Sequence, residues 1–140
     1  MTTAIDTNII VALWDKDPAA TQPARAALEA AFERGILIVA APVFAELIAA
    51  PGRTETFVGT FFEDAGIAID WELGEDVWRA AGNAFRGYAN RRRKHRDFGP
   101  RRILTDCLIG AHAAVRGYRL LTMDERLYRA AFPTLKIETI

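Results

Sequence analysis

Ile36-Leu37-Ile38-Val39-Ala40-Ala41-Pro42 is an unbroken apolar run that ends at a proline. A strand with one face in water alternates apolar and polar residues. A continuous run of this length reads instead as a strand covered on both faces, the pattern of a parallel sheet. Pro42 suits the first turn of a helix, and Phe44, Leu47 and Ile48 follow at helical spacing until Pro51-Gly52 ends the segment. Working back toward the start, an Ala-rich helix covers about 22–34 and closes at Gly35. Asp17-Pro18 stops an earlier helix that runs to about Trp14, and residues 2–6 read as the first strand, turning into that helix at Thr7-Asn8. Working forward, a short helix covers about 54–64 and Gly66 precedes a strand at about 67–71. A helix spans about 75–92, with Val77, Trp78, Ala81 and Phe85 on one face. A basic loop occupies 91–102. A helix from about Asp106 to Arg116 closes at Gly117, a strand covers 119–123, a short helix 125–130, and 135–139 is a candidate fifth strand. Strands alternating with helices predict an α/β class, with a parallel sheet of four to five strands flanked by helices in three layers. The 140 residues fit one domain over 1–140.

Composition narrows the class. Half the chain is hydrophobic, enough for one ordinary core. Eighteen basic residues balance eighteen acidic ones, so the total charge does not advertise a nucleic-acid partner, and the distribution must carry that argument. One cysteine, Cys107, rules out an internal disulfide and a cysteine-rich metal site; it reads as a small buried hydrophobe. No apolar run reaches the ~18 residues of a membrane span. The N-terminus lacks a basic segment followed by an apolar core, since Asp6 interrupts the only candidate, so a cytoplasmic protein without a membrane partner is expected.

Four acidic residues stand at informative places. Asp6 ends the first strand and Asp124 ends the run Tyr118-Arg119-Leu120-Leu121-Thr122-Met123-Asp124. Ligands bind outside the carboxyl ends of the strands in such sheets, so these two are placed by the fold alone. Glu46 lies about one turn into the helix after 36–41, opposite Val43 and Leu47. Asp106 opens the apolar stretch Cys107-Leu108-Ile109-Gly110-Ala111. Each also has an ordinary role: Asp106 as a helix cap, Asp124 as the start of a turn, Glu46 as a solvated helix residue. Gathered at one point, four carboxylates repel unless a cation holds them, and oxygen-only ligands suit a hard divalent ion, Mg²⁺ or Mn²⁺. Carboxylate-held Mg²⁺ is common machinery for cutting phosphodiesters. His112 reads as a partly buried packing residue with no second ligand-type residue beside it, and His95 as a solvated member of the basic loop. In that loop Arg91, Arg92, Arg93, Lys94 and Arg96 are the candidate contacts for RNA phosphates; a solvated helix end is the alternative.

Asp6-Thr7-Asn8-Ile9-Ile10 resembles the opening motif of PIN-domain ribonucleases. Glu46 within Pro42-Val43-Phe44-Ala45-Glu46-Leu47 is similar to the family's second motif. Thr105-Asp106-Cys107-Leu108-Ile109-Gly110-Ala111-His112-Ala113, with Gly117 and Leu121-Thr122-Met123-Asp124, resembles its closing part. The likeness spans nearly the whole chain, and is greatest to the VapC toxins of bacterial toxin–antitoxin pairs. It implies a Mg²⁺- or Mn²⁺-dependent endoribonuclease with Asp6, Glu46, Asp106 and Asp124 as both the catalytic and the metal-site acids. Asn8 and Thr122 would support them by hydrogen bonds. It implies an RNA substrate, a cognate antitoxin protein and a homodimer. Other classes remain beside it. A Mg-dependent phosphatase of the haloacid-dehalogenase type needs a second Asp where Asn8 stands. A receiver domain needs a lysine after a late strand, where Asp124-Glu125-Arg126 has none. A non-catalytic binding module on a related α/β fold would be marked by the loss of an acid, and none is lost.

Overall fold

Thr3 pairs with Leu37 on one side and with Arg119 on the other, so the first strand is the middle of the sheet. In the computed structural model, which describes residues 1–94 and 103–140, five strands run parallel in the order β3-β2-β1-β4-β5. They are β1 (Thr2–Ile5), β2 (Ile36–Ala40), β3 (Ile67–Asp70), β4 (Arg119–Thr122) and β5 (Ile137–Thr139). The helices are α1 (Thr7–Leu13), α2 (Pro18–Arg34), α3 (Ala41–Ala49), α4 (Glu55–Ala65), α5 (Glu75–Lys94), α6 (Leu104–Arg116) and α7 (Glu125–Ala131). The chain first steps outward from β1 through β2 to β3, then crosses back to β4 and β5. Parallel crossovers are right-handed, so the reversal puts α1 to α4 on one face and α5 to α7 on the other. The three-layer α/β fold expected from the apolar runs is the one observed. Ile5, Val39, Leu120 and Leu121 are fully buried between the layers, together with Ile9, Ile10, Leu47 and Ile109 from the helices.

Three local expectations are corrected. Asp17-Pro18 does not only stop a helix; it starts the next, four residues earlier than expected. Asp17 accepts a hydrogen bond from Ala19 N at 3.0 Å, and Pro18 occupies the first helical position, where a missing N–H costs nothing. Arg91, Arg92, Arg93 and Lys94 belong to the last turn of α5, not to a loop. Arg and Lys are good helix formers, and cations are favoured at a helix C-terminus. The rest of the expected loop, including His95 and Arg96, lies outside the described residues. Asp106 does not cap α6: Ile103 is the capping position, and Asp106 sits in the first turn.

Gly110 lets α6 and α7 approach closely. A Cβ there would stand 2.4 Å from a ring carbon of Phe132 and 3.0 Å from one of Tyr128. Both rings therefore occupy the space that a side chain at 110 would need, and Tyr128 is fully buried there. At the far end of α6, Arg116 donates to Leu73 O at 2.6 Å and to Asp76 Oδ2 at 2.8 Å, tying this helix to the start of α5.

Candidate active site

The direction of the chain reverses between β1 and β4, and the crevice outside such a switch point is where open α/β sheets bind ligands. Asp6 follows β1 there, and its backbone N–H continues the ladder to Leu121 O at 3.0 Å. This register puts Thr122, the last residue of β4, beside Asp6. The Thr122 hydroxyl donates to Asp6 Oδ2 at 2.7 Å. It also receives the Asp124 N–H at 3.0 Å and Asn8 Nδ2 at 3.5 Å. One proton and two lone pairs are thus all used, and the proton can go only to Asp6. Asn8 Oδ1 in turn accepts from Met123 N at 3.2 Å. Asn8 and Thr122 therefore stitch the first helical turn to the end of β4; Thr122 bonds the Asp6 carboxylate directly, and Asn8 is joined to it only through Thr122. Asn8 is bound up in this lattice and is not placed as a second nucleophile or acid.

Asp6 is the one deeply buried acid of the four. Its Oδ1 takes the Thr7 N–H at 2.7 Å, and its Oδ2 takes a second hydroxyl, that of Tyr128, at 2.9 Å. Burial raises its pKa and these three hydrogen bonds oppose that rise, while Asp124 adds repulsion. Glu46 is exposed on α3, whose Val43 and Leu47 are buried. Thr7 Oγ1 donates to Glu46 Oε1 at 2.6 Å, so the residue after Asp6 holds the second acid toward the first. Asp124 caps α7 through Leu127 N at 3.4 Å, so the turn role expected of it is real and coexists with its place at the rim. Asp106 brings the set together electrostatically. Desolvation, then the charges of Asp6, Glu46 and Asp124, push its carboxyl up to about 7. Asp106 of α6 thus lies within electrostatic reach of the three acids from α1's cap, α3 and α7's cap. Among the described residues, no three acid, histidine or cysteine side chains stand close enough to grip an ion as they are. The donors are nonetheless all carboxylate oxygens with repulsion to relieve, which suits a hard cation that draws them inward.

Two residues of this site went unread in the sequence. Tyr128 is fully buried, donates to Asp6 and lies against Asp106. Thr7 positions Glu46. An aromatic four residues after an acid on a short helix looks like core, and only its polar handle hints otherwise.

The remaining candidates separate. Arg91, Arg93 and Lys94 are exposed at the end of α5, and Arg91 lies near enough to act on the thiol of Cys107, next to Asp106. The Arg92 guanidinium lies 5.6 Å from the centre of the Tyr88 ring. Cys107 is buried as expected, its thiol pushed up to about 11 chiefly by desolvation. His112 is fully buried and packs on Tyr118. It is not without an acid: Nε2 lies 2.9 Å from Asp70 Oδ2, at the end of β3.

Residues 3–133 match the PIN domain. No curated protein sequence matches. Among solved structures, VapBC-1 from nontypeable Haemophilus influenzae shares 17% identity at a TM-score of 0.70, covering 99% of this chain and 98% of that one. VapBC2 from Rickettsia felis, bound to a DNA fragment from its promoter, shares 20% at 0.69, with 100% and 99% covered. FitAcB from Neisseria gonorrhoeae shares 18% at 0.62, with 96% and 95% covered. At such identities the likeness is one of fold, and it agrees with the strand order and helix placement described above. Since the sequence match runs through β1, β4 and every acid at their shared end, the chain belongs to the PIN-domain family.

Proposed function

We propose that this chain is a divalent-metal-dependent endoribonuclease, the toxin of a toxin–antitoxin pair, acting in the cytoplasm. The observation that carries the proposal is Asp106, whose carboxyl is pushed up to about 7 by desolvation and by the three other acids. Nothing among the hydrogen bonds of the described residues offsets that repulsion with a positive side chain. Asp6, Glu46, Asp106 and Asp124 would hold the ion, Mg²⁺ or Mn²⁺. When bound, such an ion supplies Lewis-acid activation of water and offsets charge gathering on the phosphate. The chain's own residues do the rest. Thr122 and Tyr128 fix the rotamer of Asp6, Thr7 turns Glu46 inward, and Asn8 clamps the Thr122 turn. Arg91, Arg93 and Lys94, on the helix that packs against α6, would take RNA phosphates and set the strand beside Asp106. Arg92 and Arg96 complete that basic set in the sequence.

The proposed protein partner is an antitoxin, with a second copy of this chain forming a homodimer. A groove of about 590 Å³ between α1, α2 and α4 is lined by Leu13, Trp14, Leu28, Phe32 and Phe61, with Phe32 more than half exposed. It would accept apolar side chains of the antitoxin. No helix among the described residues is long and apolar enough to cross a membrane.

The test is incubation of the purified protein with total RNA in Mg²⁺, Mn²⁺ or EDTA, followed by mapping of the new ends. Cleavage is expected with either metal and none with EDTA. Undiminished cleavage in EDTA would remove the metal from the proposal, and binding of RNA without cleavage in any arm would leave a non-catalytic module.

A further inference from the structure

An ionised carboxylate offers about four lone-pair sites, two on each oxygen. At Asp6 the protein occupies three. Thr122 Oγ1 and Tyr128 OH both donate to Oδ2, at 2.7 and 2.9 Å, and Thr7 N donates to Oδ1 at 2.7 Å. Among the described residues, Oδ2 is therefore saturated and Oδ1 keeps one lone pair. All three donors are well fixed. Thr7 N is backbone, Thr122 is fully buried at the end of a central strand, and Tyr128 is fully buried under the close approach of α7 to Gly110.

Mg²⁺ and Ca²⁺ use carboxylates differently. Mg²⁺ demands near-ideal octahedral geometry at about 2.0–2.1 Å, whereas Ca²⁺ takes ~6–8 oxygens at about 2.3–2.6 Å and readily accepts both oxygens of one carboxylate. A carboxylate whose second oxygen is already doubly bonded to fixed hydroxyls cannot offer both.

We infer that Tyr128 and Thr122 restrict Asp6 to one-oxygen ligation through Oδ1 and thereby make this site select a small octahedral cation against Ca²⁺. Tyr128 is on this view a positioning residue, acting through Asp6. The inference rests on the metal reading above and adds to it the side chains that set which metal is taken.

The experiment is calorimetric titration of the intact purified protein with Mn²⁺ and with Ca²⁺, with no RNA present. Wild type is expected to bind Mn²⁺ more tightly. Tyr128→Phe keeps the ring and deletes the hydroxyl, freeing a lone pair on Oδ2. Its Mn²⁺ affinity is expected to fall about 10-fold, the low end of what losing a ligand's supporting hydrogen bond costs, while Ca²⁺ affinity holds or rises, so the Mn²⁺/Ca²⁺ ratio narrows. A role in packing alone would weaken both ions in proportion and leave the ratio where it was, and that result overturns the inference. Should Tyr128→Phe fail to fold, Thr122→Val removes the other donor to the same oxygen and is expected to narrow the ratio, with Thr122→Ser restoring it. An unmoved ratio in folded Thr122→Val is equally fatal. Wild type that binds both ions without preference defeats the inference and spares the metal reading, whereas wild type that binds neither defeats both.

Discussion

The sheet carries two acid-containing clusters at its carboxyl edge, each with at least one fully buried member, and they are built on opposite principles. At the end of β3, Asp70 meets His112, one acid against one imidazole, with Nε2 2.9 Å from Oδ2. Burial lowers the His112 pKa and Asp70 opposes this. With its pKa held below the ordinary 6.5, the imidazole is uncharged at neutral pH, so the pair carries a single charge with a ring nitrogen against it and, among the described residues, no second acid beside it. At the end of β1 and β4, Asp6 meets hydroxyls and three more acids. Hydroxyls stabilise one carboxylate but cancel no charge, so the group as a whole is left repelling itself. Burial alone does not distinguish structure from function here; the crowding of like charges among the described residues does.

The sharpest break between the two clusters is expected from Asp6→Asn against Asp70→Ala. Asn keeps the shape of Asp6 and removes its charge, and RNA cleavage should fall at least ~100-fold, the scale on which loss of one preorganised electrostatic group is felt. Cleavage within a few-fold of wild type by folded Asp6→Asn would end the equation of this cluster with the active site. Asp70→Ala strands the buried His112 Nε2, and should lower stability by about 1–3 kcal/mol in denaturant melts while leaving cleavage intact.

A smaller effect separates the clusters by pH. In the folded protein the Asp106 carboxyl is pushed up to about 7, from the ~3.9 of an unfolded chain. The folded state thus binds more protons between those values, and its metal-free stability falls as pH rises through them. Asp106→Asn removes that penalty, so it should raise the metal-free melting temperature most at pH 7.5, progressively less toward pH 4, and hardly at all in saturating Mg²⁺. His112 has the opposite sign. Its folded pKa lies below the ordinary 6.5, so the stability it lends is present above that pH and is lost as pH falls below it. A gain from Asp106→Asn that ignores pH would mean that its carboxyl does not feel the other three.

The smallest expected effect lies outside both clusters. Replacing Arg91, Arg93 and Lys94 by Gln should raise KM for RNA several-fold and reduce the slope of log affinity against log salt by about 2, for three single-strand phosphate contacts. It should leave kcat nearly as it was. An unaltered KM would assign this end of α5 to solvent or to a protein partner.

How much of this was readable beforehand follows from how local each signal is. Ile36–Ala40 declares itself because a strand covered on both faces has no polar residue to interrupt it, whereas Arg119–Thr122 shows only the apolar pair Leu120-Leu121 between polar ends. Asp6 and Asp124 follow from strand ends, and Glu46 and Asp106 only with the family motifs beside them. Asp17-Pro18 was ambiguous because the same dipeptide ends one helix and opens another. Tyr128 and the Asp70–His112 pair were closed to sequence reading for a different reason: their partners lie 122 and 42 residues away. No pattern of period two or 3.6 reports on a contact of that span.

That span has a consequence for a chain still being made. Asp6 is translated 116 and 122 residues before the hydroxyls that orient it. Until β4 has been threaded in beside β1, the first acid has neither its rotamer nor its companions, and closing so long a loop is a slow, late event in folding. A nascent or prematurely ended chain that stops short of Thr122 therefore carries the opening motif and half the sheet without a working centre. If the protein cuts RNA, the ribosome making it is exposed to that activity only after β4 and α7 have been released.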